Sequence, residues 1–89
     1  MKSVYVFIGV NSKAPSAVFS DKDKAIDWIQ SNNLSGTLNE MPVDISAYDH
    51  AVQNGYFTQK KDREISPAFI ATFTPRLWHG HFGPEFECD

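Results

Sequence analysis

His79 and His81 are the residues of this 89-residue chain whose types and spacing most directly suggest chemistry. Residues two apart on a strand point to the same side. Both imidazoles can then meet one transition metal ion, with Glu85, Glu87, Cys88 or His50 completing the shell. Such a site needs deprotonated ligands in a fixed geometry, and chain ends fix little. A histidine pair on a strand is more often ordinary surface, so the metal reading of His79 and His81 stands second. Cys88 with His50 or His79 is a weaker pair, because an activated thiolate needs a helix N-terminus or a fixed cation, and a base held by a third group. The five glycines are scattered singly and none precedes a lysine and hydroxyl as a phosphate-binding loop requires. Asp44 and Asp49 resemble an acid/base pair, but helix capping accounts for both. These residues specify no reaction, so a non-enzymatic role with no cofactor is the reading that the side chains favour.

Eleven acids against eight bases give a net charge of −3 and a pI of 5.5. Non-specific nucleic-acid binding needs the opposite field, and the densest basic run, Lys60, Lys61 and Arg63, is interrupted by Asp62 and reads as a solvated loop. A single cysteine permits no intrachain disulfide and points to a reducing cytoplasm. The apolar run over 4–10 gives way to Asn11, Ser12 and Lys13 and reads as a strand rather than a signal peptide. No stretch approaches the ~20 apolar residues of a membrane span. The length predicts one globular domain over 1–89, with 83–89 as a loosely ordered tail.

Seven Phe, three Tyr and two Trp must supply much of the core. Rings at Tyr48, Tyr56, Phe57, Trp78, Phe82 and Phe86 exceed what so small a core easily hides. Tyr48, Tyr56, Phe57, Trp78 and Phe82 are therefore the candidate partner-binding residues, for a protein partner or for a second copy in a homodimer. An immunity-like protein that neutralises a basic toxin is one version of that role.

The elements that must position these residues follow from period and punctuation. Residues 4–10 alternate Val4, Val6, Ile8 and Val10 on one face with Tyr5 and Phe7 on the other, which suits an inner strand. Residues 17–19 give a short return strand. Ser20 caps a helix over 21–31, with Trp28 in or beside the core. Residues 36–41 form a strand that Pro42 ends or places at an edge. Asp44 or Ser46 caps a helix over 46–54, Ser46 with Asp49 forms a capping box, Ile45, Tyr48 and Val52 share its inner stripe, and Gly55 closes it in the left-handed conformation. This strand and helix, each with one apolar face, are expected to be the unit on which the rest docks. Ser66-Pro67 starts a short third helix with Phe69, Ile70 and Phe73 on one face. Residues 77–86 form an edge strand, with Leu77, His79 and His81 on one side and Trp78 on the other, broken at Gly83-Pro84.

The blocks VYVFIG, PSAVFS, AIDWI, LSGTL, MPVDISAYDHAVQNGYF and SPAFI, in that order, resemble a family of small bacterial proteins classed as a domain of unknown function. The similarity spans about 5–73. His50 departs from the tryptophan usual after Tyr48-Asp49 in that family, and Ala14 from the phenylalanine common before Pro15-Ser16. The resemblance implies a compact bacterial domain and carries over no catalytic residue. The fold expected is α+β, a small mainly antiparallel sheet of three to four strands with two longer helices and one short helix, in the order β-β-α-β-α-α-β. The function expected is a protein-interaction module, with no nucleic acid and no membrane as partners. The alternative is a small metal-binding protein or enzyme using His50, His79 and His81.

Overall fold

The computed structural model describes residues 2–56, 66–74 and 77–83. Four strands, β1 (Ser3–Gly9), β2 (Ala17–Phe19), β3 (Gly36–Pro42) and β4 (His79–Phe82), form one sheet in the order β2-β1-β3-β4. Three helices among the described residues, α1 (Lys22–Ser31), α2 (Ala47–Gln53) and α3 (Pro67–Thr72), join the sheet in an α+β fold, and the element order is the one the sequence predicts. Every strand pair is antiparallel. The doubly apolar strand β1 lies inside the sheet, and β4 lies at an edge. Pro42 is tolerated because β4 pairs only with Gly36 to Asn39, so the proline stands where no described strand needs its missing N–H on that side.

Register sorts the side chains onto two faces. Phe7 pairs with Ala17 and Leu38, and Leu38 with Gly80, so these share the face on which α1 packs. The buried core there is Phe7, Ala25, Ile29 and Leu38. Full burial of a Leu or Ile side chain contributes roughly 1.5–3 kcal/mol. Trp28 sits on this core with its ring centre 5.6 Å from Phe7 and 5.6 Å from Phe19. Trp78 lies edge-on to Tyr5 at 6.3 Å, and the Lys22 ammonium covers its ring at 4.3 Å. A cation over an indole face is attracted by the ring quadrupole, so Lys22 seals the margin of the core without losing its solvent contact.

The helices are delimited by their caps. Asp21, not Ser20, is the N-cap of α1, since its carboxylate accepts from the Asp23 N–H at 2.8 Å and the Lys24 N–H at 3.4 Å. A charged acceptor at the positive end of the helix outcompetes the neighbouring hydroxyl. Asn33, at φ 53, ends α1, with its N–H on the Gln30 carbonyl and the Leu34 N–H on the Ile29 carbonyl. Ser46 caps α2, its hydroxyl accepting from the Asp49 N–H at 2.9 Å, while Asp44 adopts φ 63 in the preceding bend. Gly55, at φ 73, and Tyr56 donate to the Val52 and Ala51 carbonyls, a Schellman closure. Ser66 caps α3 by accepting from the Phe69 N–H, with Pro67 at the first helical position.

The centre of packing is not where the sequence places it. The main core joins β1, β3 and α1, whereas α2 builds a separate cluster in which Tyr48 meets Phe69 at 6.2 Å and Phe73 at 5.5 Å. The buried residues of α2 are Tyr48, His50 and Ala51, so the helix is rotated from the predicted Ile45, Tyr48 and Val52 stripe. Ile70 is exposed and does not share the inner face of α3 with Phe69 and Phe73.

Candidate interaction surface

The second face of the sheet carries Val4, Val6 and Ile8 from β1, Val18 from β2, Thr37, Asn39 and Met41 from β3, and His79 and His81 from β4. Strand alternation puts them there once Phe7 and Leu38 face α1. No Asp, Glu, Lys or Arg stands among them. A groove of ≈ 540 Å³ runs over this face, with Val6, Ile8, Thr37, Asn39 and Met41 as its floor and Thr74, Leu77, Trp78 and His79 as its wall. Its size is that of a recognition cleft. Among the described lining residues His79 carries the one ionisable side chain, so the groove offers contact area and hydrogen bonds rather than an acid and a base. Val18, at the β2 margin of the same face, is 61% exposed.

His79 and His81 have ring centres 5.3 Å apart at 85° between planes. Both are exposed. His50 lies elsewhere: it is buried in α2, 7% exposed, with its ring 5.9 Å from that of Tyr56. Among the described residues no group of three or more His, Cys, Asp or Glu is placed to hold a metal ion, so His50 does not join the strand pair.

The candidate aromatic edge is dispersed. Tyr48 is 3% exposed, with its ring against Phe69 of α3 and Phe73 just beyond it, so it is buried in the structure described. Trp78 and Phe82 are half-buried against the α1 core, and Tyr56 is 51% exposed at the end of α2. Phe57, the basic run at Lys60, Lys61 and Arg63, and Glu85, Phe86, Glu87 and Cys88 lie outside the described residues. The apolar second face was readable only in part, as Val4, Val6 and Ile8 on one side of β1. Which side α1 would cover depends on pairings remote in sequence.

Residues 4–85 match the family model described as Domain of unknown function (DUF7710). The chain belongs to that family. Among the described elements the match takes in the three helices and the four strands save Ser3 at the start of β1, and the family has no assigned activity. No curated protein and no solved structure matches the chain. Among the described residues no helix is long and apolar enough to cross a membrane.

Proposed function

We propose that this chain is a non-enzymatic interaction module that associates with a second copy of itself through the second face of its sheet. The observation that carries this reading is a sheet face, apolar on β1 and β2, with no Asp, Glu, Lys or Arg on its strand positions, in a chain whose net charge is −3. A sheet is stable when both faces are covered, and packing a second sheet about 10 Å away is one of the few ways to cover it. Two copies meeting here oppose no like charges. A strongly basic or acidic partner would find no Asp, Glu, Lys or Arg on these strand positions to pair with.

Area sets the strength. Strands about 4.8 Å apart, rising about 3.3 Å per residue, make a face of roughly 20 by 20 Å. Val4, Val6, Ile8, Thr37, Asn39 and Met41 are already half-buried, so two such faces remove at most about 800–1,000 Å² from water, short of the ~1,200–2,000 Å² of a standard stable complex. The association is therefore weak and depends on concentration.

Sedimentation velocity from low micromolar to near-millimolar protein tests it. The weight-average mass is expected to climb towards that of a dimer, and Val18→Asp is expected to hold the chain monomeric. Val18 is exposed on a three-residue edge strand, so the substitution costs about 1 kcal/mol of stability or less. A native chain that stays monomeric across the range, or a Val18→Asp variant that associates equally well, would overturn the reading.

A further inference from the structure

We infer that His79 and His81 form a two-histidine site for a late first-row transition ion of the zinc class, on the second face of the sheet at its β4 edge. The inference does not depend on self-association, because both ligands come from one chain.

The first support is metric. An imidazole nitrogen about 2.0–2.1 Å from zinc puts the ring centre about 3.2 Å from the metal, so two rings on a tetrahedral ion have centres about 5.2 Å apart. The observed separation is 5.3 Å with the ring planes at 85°, a spacing from which both rings can turn a nitrogen to one ion. The second support is the backbone, since β4 is held to β3 by the pairs His79 with Asn39 and His81 with Thr37. The pairing keeps both side chains on one side of β4, so an ion bound by one imidazole meets the other at high effective concentration.

The third support is local polarity. The face is apolar on β1 and β2, yet Asn39 and Thr37 stand beside the two histidines, and the Asn39 amide donates to the Thr37 hydroxyl at 3.3 Å. An amide and a hydroxyl next to ligating imidazoles are the kind of groups that orient ring N–H groups and metal-bound water. With no third protein ligand among the described residues, the remaining positions of the ion are left to water or to a donor from outside this set. Imidazole pairs select zinc, copper or nickel over calcium and magnesium.

Edge-on packing of two rings would also bring them close, but it predicts no shared dependence on both. Zinc chloride is titrated into the full chain, into His79→Ala and His81→Ala, and into Val18→Asp as a monomeric control, at a protein concentration where the native chain is monomeric. The native chain and Val18→Asp are expected to bind at least about tenfold more tightly than either histidine variant, the advantage of a held second ligand. In parallel, the ring-proton signals of His79 and His81 are expected to shift together at substoichiometric zinc, while those of buried His50 stay in place. Either single variant binding as tightly as the native chain, or all three histidines responding alike, would overturn the inference, and the ring-proton measurement needs no variant to fold.

Discussion

Gly36→Ala is expected to lower the melting temperature by roughly 15 °C or more, or to leave the chain unfolded, as read by far-ultraviolet circular dichroism. Gly36 is buried at the start of β3, paired with Gly9 and Phe82, at φ +154. A Cβ there would collide with the Ile8 carbonyl oxygen and lie 2.8 Å from the Gly9 Cα and 2.9 Å from the Phe7 ring. Two of those three obstacles are backbone atoms at the end of the inner strand, which cannot swing aside as a side-chain tip can. Overpacking of this kind, added to an unfavourable backbone angle, costs about 3–5 kcal/mol, a large share of the ~5–15 kcal/mol that holds a domain folded. Gly55→Ala is the control. Its backbone is also left-handed, at φ +73, but nothing lies within 4 Å of the added carbon, so about 1 kcal/mol is expected. Equal melting temperatures for the two variants would show that the β1–β3 junction is not closely packed at Gly36.

Leu38→Ala is expected to cost about 2–5 kcal/mol, through lost burial and the cavity left behind. Leu38 is fully buried on β3 and joins Phe7, Ala25 and Ile29 in the one cluster that ties α1 to the sheet. The strand offers its own comparison, because Met41 points to the other face and is half-buried in the groove floor. Met41→Ala leaves less of a cavity and is expected to cost about half as much or less. Chemical denaturation of both variants measures the difference. A Met41→Ala cost equal to that of Leu38→Ala would mean that the second face is as well packed as the first, and the proposed contact surface would lose its basis.

Local signals carried most of the architecture. Ser46 and Ser66-Pro67 announce α2 and α3, Asn32-Asn33 and Gly55 end the first two helices, and strict alternation marks β1. Each works through hydrogen bonds or backbone angles within a few residues, which is why a single sequence displays them. Ser20 and Asp21 illustrate the limit, since two adjacent acceptors both suit a cap and geometry decides between them. Tyr48 shows a deeper one. Its burial depends on Phe69 and Phe73, which lie far along the chain, so its ring read as surplus until α3 was in place. The groove was hidden for the same reason: Val6 and Ile8 are visible as an apolar pair, but Met41, Leu77 and His79 join them only through strand order. Of the candidate site, the pairing of His79 with His81 on one side of a strand was legible, because it follows from alternation alone.

The strand order has a kinetic side. β1 reaches β2 across the loop 10–16, but its other neighbour β3 comes after all of α1, and β4 arrives from beyond α2 and α3. Loop-closure entropy makes such distant pairings late. Among the described strands β4 borders β3 alone, so its ladder bonds all run to that one neighbour, and Phe82 joins it to the α1 core. The segment with the two imidazoles thus depends on distant pairing for its place, and whatever binds the paired strand and not the unfolded chain favours the assembled sheet.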